Sequence, residues 1–144
     1  MDSPRELLRA AVAANLRRIR EEDGYRTDAG AAVTLEPGQV DDSADAVLTP
    51  VVLKQERGQD AAVAKTHRLT KLGVLAKVPA SLGEAQARLD AIVSDVEQAM
   101  ADRQSSYPPG IQFPVYVSME PVKPEAGMGW TGALITYQSH IPIK

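Results

Sequence analysis

Residues 15–36, NLRRIREEDGYRTDAGAAVTLE, take the chain through a helix stop, a hard turn and a change of hydrophobic period in quick succession. Gly24 follows Glu21, Glu22 and Asp23 and suits the left-handed position past a helix end, where a Cβ would be strained. Tyr25 supplies an aromatic anchor beside the stop. Thr27, Asp28 and Gly30 form a polar turn. Ala31, Val33 and Leu35 then alternate with Ala32, Thr34 and Glu36 as in a half-buried strand. The stretch predicts a helix, a tight corner and a strand, and the rest of the chain must pack around that unit.

The helix leading into the corner is predicted to begin at Ser3, with Pro4 at its first position and Glu6 completing a capping box. It is expected to run to about Asp23. Leu8, Val12, Leu16 and Ile19, flanked by Leu7 and Ala11, share one face, and Arg5, Arg9, Arg17 and Arg20 lie opposite. Its last turn carries acids at the negative end of the helix dipole, which is mildly unfavourable unless solvent or a neighbouring subunit compensates.

Beyond the corner, residues 36–45 read as a surface loop, turned by Pro37-Gly38 and solvated by Asp41, Asp42 and Asp45. A second strand is expected over 47–55. Its Val51-Val52-Leu53 run points to burial on both faces, whereas Pro50 points to an edge or a bulge. Residues 56–67 have weak patterning and read as a mobile arm or an extended hairpin tip. Leu72, Val74, Ala76 and Val78 mark a third strand ended by Pro79. Ser81 and Glu84 form a second capping box, opening a helix whose buried face is Leu89, Ile92, Val93, Val96 and Met100, through to about Arg103.

After a rigid turn at 104–110, Ile111, Phe113, Val115, Val117 and Met119 give the clearest alternation in the chain, a fourth strand. A Pro- and Gly-rich loop over 121–129 leads to a fifth, with Ala133, Ile135 and Tyr137 facing one way and residues 139–144 able to extend it. The expected fold is a single α+β domain over 1–144. It is a mostly antiparallel sheet of about five strands in the order α-β-β-β-α-β-β, with both helices on one face.

At 144 residues and 44% hydrophobic, such a chain can bury roughly 68–70% of its unfolded surface. It has no cysteine, so disulfides and thiolate chemistry are excluded. No apolar run approaches the roughly 20 residues of a membrane span, and the N-terminal residues lack a signal-peptide core, so folding in a cytoplasm is expected. A net charge of −3 and few aromatics argue against a nucleic-acid grip.

The motif inventory yields no active site. Gly127-Met128-Gly129-Trp130-Thr131-Gly132 matches G-x-G-x-x-G, but a strand rather than a helix follows, so it reads as a glycine-rich hairpin turn. Asp41, Asp42 and Asp45 fail the calcium-loop pattern, since the sixth and twelfth positions are Ala46 and Val52. His67 and His140 lack metal or triad spacing. No catalytic, cofactor or metal residue is expected, and the chain is not expected to be an enzyme. Trp130 reads as a core lid or as an assembly anchor at a loop tip.

The corner Asp23-Gly24-Tyr25, Thr27-Asp28, Gly30, followed by Pro50-Val51-Val52 with Glu56 and by this order of elements, resembles the tail terminator (tail completion, minor tail) proteins of long-tailed bacteriophages. The resemblance implies a structural virion protein that forms a hexameric ring on the head-proximal end of the tail tube. Such a ring stops tube growth and offers the head or neck its attachment surface. It also implies assembly in a bacterial host's cytoplasm. The implied partners are further copies of the chain, the tail tube protein, a neck or head-completion protein and the tape measure protein, with genomic DNA passing through the lumen without specific binding. A head-tail connector of the same virion is the nearest alternative, and a small-ligand module or enzyme the distant one. The expected contact residues are Tyr25, Arg26 and Asp28 at the corner, Arg57, Gln59, Asp60 and Lys65 on the arm, and Met128 and Trp130 on the glycine loop. Asp41, Asp42 and Asp45 are expected to face solvent or the lumen.

Overall fold

The computed structural model describes residues 2–35, 46–81, 83–102, 106–122 and 129–143. The first helix, α1, spans Pro4–Leu16, and Ser3 caps it by accepting the Glu6 N–H at 3.2 Å. Leu8, Val12 and Leu16 are fully buried. Two of the opposite arginines reach across to the sheet: Arg5 donates to Gln55 Oε1 at 3.0 Å, and Arg9 to the Pro50 carbonyl at 3.4 Å.

α1 ends well short of Asp23. Arg18 and Ile19 donate back three residues, to the Asn15 and Leu16 carbonyls, and Arg20 is extended, so the helical ladder cannot continue. Glu21–Asp23 is a separate 3₁₀ turn, closed by Gly24 at φ 94°. The acids therefore open a short turn instead of ending a long helix, and the Glu21 N–H finds Asp28 Oδ1 at 2.8 Å.

The strand expected over 31–36 does not form over its described residues, 31–35. Ala29–Ala32 is a second 3₁₀ turn, in which the Gly30 and Ala31 N–H groups bond to Ile19 and Asp28 carbonyls and are lost to any ladder. Val33 makes one isolated parallel bridge to Leu48, and the Thr34 N–H donates to the Leu48 carbonyl at 2.9 Å.

Among the described residues the sheet has four strands, where about five were expected. β1 (Val47–Arg57), β2 (His67–Pro79), β3 (Val115–Val122) and β4 (Trp130–Pro142) are antiparallel in the order β1-β2-β4-β3. The opposed signals in β1 are resolved by its place in the fold: it is an edge strand, yet its first four residues are buried because α1 and the 33–34 bridge cover them. β2 is longer than the 72–78 pattern indicated, and residues 139–142 do extend β4.

α2 spans Ala85–Met100, and the capping box at Ser81 does not form. Glu84 takes the N-cap at φ 58°, a left-handed conformation that breaks helical geometry ahead of Ala85. Arg103, the expected helix end, lies outside the described residues. Both helices pack on one sheet face, where Leu8, Val12, Leu16, Ile92 and Val96 meet Leu72, Val74, Ala76, Val78 and Ile135. At ~25 cal/mol per Å² of apolar area removed from water, this single continuous core drives folding.

The alternation over 111–119 misleads. Ile111 to Pro114 precede the strand, a bulge between Tyr116 and Ser118 breaks the period, and β3 is the other edge of the sheet. Val115, Tyr116, Val117 and Met119 are left 47%, 48%, 44% and 37% exposed.

Candidate assembly surface

The corner is fastened from a direction that local sequence pattern does not reveal. Asp95 of α2 is fully buried and accepts the Arg26 N–H at 3.0 Å, the Thr27 N–H at 2.8 Å and the Thr27 hydroxyl at 2.7 Å. The Arg26 guanidinium stands 3.6 Å from the same carboxylate. Every further motif residue except the exposed Asp23 has a mechanical task. Gly24 supplies the left-handed turn, Asp28 caps the Glu21 amide, and Gly30 lies against the end of α1, where a Cβ would be 2.6 Å from the Arg17 carbonyl oxygen. Tyr25 is half-buried against the core. Of the three corner contact residues, Arg26 and Asp28 are exposed and Tyr25 is mainly an internal prop. Asp28→Ala should cost about 1 kcal/mol, as loss of a cap does, measurable by urea denaturation.

An acid on the apolar stripe of α2 was the available signal for Asp95, since position 95 lies among Ile92, Val96 and Ala99. Asn15 is the matching case on α1: it is 3% exposed, its Nδ2 donates to the Ala99 carbonyl at 2.9 Å, and its Oδ1 accepts from Arg18 at 2.8 Å. Arg18 also pairs with Asp102.

The 58–66 segment is the connection of the β1–β2 hairpin, and it is folded down. Asp60 organises it, its Oδ1 accepting the Ala62 N–H at 2.9 Å and its carbonyl the Val63 N–H at 3.0 Å. The Ile143 N–H donates to the Thr66 carbonyl. Gln112 Oε1 sits 2.9 Å from both the His140 N–H and Nδ1, leaving Nε2 to accept the Gln59 N–H at 3.4 Å. One neutral tautomer of His140 satisfies all three contacts. Arg57, Gln59, Asp60 and Lys65 keep their side chains exposed.

Trp130 is the first residue of β4, half-buried, and not a free loop tip. Its indole lies across Gly132, where a Cβ would come within 2.6 Å of it, and Lys77 Nζ sits 4.6 Å from the ring centroid. That places Trp130 on the sheet face away from the helices, held by stacking and a cation–π contact. Met128 and the acids Asp41, Asp42 and Asp45 lie outside the described residues.

The register separates the two expected contact segments. His67 pairs with Pro142 at one end of β2, and Pro79 with Trp130 at the other; at ~3.3 Å per residue they are roughly 40 Å apart. The arm and Trp130 thus occupy opposite ends of one sheet.

Between the C-terminal end of α2 and β3 runs an apolar groove of about 550 Å³. Tyr137, 2% exposed, forms part of its wall, and its hydroxyl has no hydrogen-bond partner among the described residues. Burial, then the Glu97 charge and the neighbouring Tyr116 and Tyr107, push its pKa well above the usual tyrosine value. An unfolded tyrosine ionises near ~10. The stabilising contribution is therefore intact below that pH and is lost as pH rises toward the folded value, by about 1.4 kcal/mol per unit. Tyr137→Phe should leave stability at pH 7 unchanged or raised, since it removes an unsatisfied polar atom. It should also flatten the fall in thermal midpoint between pH 9 and pH 11.

Among the described residues, no group of three or more His, Asp or Glu could hold a metal, and no helix is long and apolar enough to cross a membrane. No protein-family model and no curated protein matches this chain.

Proposed function

We propose that this chain is a tail terminator, forming a ring that caps the head-proximal end of a bacteriophage tail tube. The observation that carries the reading is the D-G-Y-x-T-D-x-G corner at 23–30, whose resemblance to that family names the function. The sheet supports the mechanism. A cap needs one surface that binds the last tube ring and a different one that cannot template another ring, so that closure replaces open stacking. The hairpin connection at 58–66 and Trp130 lie at opposite ends of β2 and differ in character, one polar with exposed side chains, the other aromatic and pinned.

The test is negative-stain microscopy of particles from an infection in which this gene alone is silenced. Abnormally long, headless tubes are the expected result. Normal-length tails beside filled heads would move the protein to the neck, and intact infectious particles would reject both. Deleting 59–65 should leave a folded protein that no longer caps; retained capping would remove the hairpin connection from the contact surface.

A further inference from the structure

The groove beside β3 has the chemistry of a cation site. Its walls bring together Glu97, Met100, Phe113, Val115, Tyr116 and Tyr137. One acceptor there is unused. Glu97, the one charged residue of the lining, has no ion pair among the described residues. The remaining walls are aromatic faces and apolar edges, with the Tyr116 and Tyr137 rings edge to face at 5.8 Å.

An occupant that satisfies both halves must donate hydrogen bonds, carry positive charge and present a flat or apolar body. A guanidinium does all three: it stacks on aromatic rings, is weakly hydrated, and directs several N–H groups in its plane. An ammonium has the charge but keeps its water more firmly.

A protein is the source the surroundings favour. β3 runs along the groove with Val115, Tyr116, Val117 and Met119 exposed on an open sheet edge. The bulge at Tyr116/Ser118 and Pro121 hinder addition of a further strand. Contact through side chains is left, an anchor in the groove with apolar flanks against β3. The geometry points to this groove as the receptor for an arginine side chain presented by a protein partner, whether or not the chain caps a tail tube.

The probe is the blocked tripeptide acetyl-Val-Arg-Val-amide, titrated into the full chain and followed through the ring signals of Tyr116 and Tyr137 by NMR. Saturable shifts of both are expected. Replacing arginine with citrulline, which keeps the shape and loses the charge, should weaken binding ~10-fold or more, as should Glu97→Gln. Tyr116→Ala, at an exposed position where folding is not at stake, should weaken it as well. No saturable shift with the tripeptide in large excess, or equal binding of the citrulline peptide, or an unaffected Glu97→Gln variant with native ring signals, would overturn the proposal. Equal affinity for the tripeptide and for blocked arginine alone would overturn the protein partner in favour of a small free cation.

Discussion

Asp95→Ala is expected to be the most damaging single polar substitution in the chain, lowering stability by about 4 kcal/mol. The carboxylate has no exposure and receives three hydrogen bonds from two consecutive residues of the corner. Its removal leaves the Arg26 and Thr27 amides and the Thr27 hydroxyl without their acceptor. A buried donor left unsatisfied costs ~1–3 kcal/mol, and breaking a buried charged contact from one side costs ~3–5 kcal/mol in total. For a domain of this size the thermal midpoint should fall by roughly 8–16 °C, at ~2–4 °C per kcal/mol. Thr27→Val should cost less, ~1–2 kcal/mol, because the backbone bonds to Asp95 survive. The two losses should be strongly non-additive, since both substitutions remove the same hydroxyl–carboxylate contact. Urea denaturation of the two single variants and the double variant measures this. A coupling near zero would show that Asp95 and Thr27 act separately, and the account of the corner would fail.

What the sequence made legible follows from which forces are local. Gly24 was readable because a left-handed turn depends on one residue, and the apolar stripes of both helices because burial of one face repeats along the chain. The failures have equally definite causes. Ala31, Val33 and Leu35 carry a strand's alternation, yet Gly30 is bonded to Ile19 and the segment is drawn into a 3₁₀ turn by a tertiary contact that periodicity does not encode. Ser81 and Glu84 have capping-box spacing, but the left-handed Glu84 starts the helix later. The alternation of 111–119 is apolar and exposed, since period reports side-chain direction and not what covers it. Asp95 and Asn15 sit on apolar stripes, where a polar residue is the mark of a buried contact. Their partners, on 26–27 and at Ala99, are far away in sequence. The groove by Tyr137 was out of reach for the same reason, as its walls come from α2, from residues 112–116 and from β4.

The two glycines of the corner should separate conformational strain from steric exclusion, and Gly30→Ala should be the costlier by a clear margin. At Gly24 nothing lies within 4 Å of where a Cβ would stand, so alanine there meets only the left-handed φ of 94° and should lose about 1 kcal/mol. Asparagine, which tolerates that region, should lose less. Gly30 is the reverse case. A Cβ would stand 2.6 Å from the Arg17 carbonyl oxygen, 2.7 Å from that of Ile19 and 2.9 Å from the Arg17 carbonyl carbon. All three are backbone atoms, and the Ile19 oxygen is also the acceptor for the Gly30 N–H. No rotamer change relieves the overlap, so 29–32 must move off the end of α1 and give up that bond. Overpacking of this kind costs ~1–3 kcal/mol, with the lost hydrogen bond adding about 1 kcal/mol. Gly30→Ala should therefore destabilise by roughly 3 kcal/mol and speed amide exchange at Gly30 and Ala31, while the amides of β2 and β4 exchange as before relative to global stability. If the corner presents Arg26 and Asp28 to a tube or a neighbouring subunit, Gly30→Ala should also weaken capping at temperatures where the domain remains folded, and Gly24→Asn should not. Equal capping by both variants would confine the corner to a structural role, whatever its letters resemble.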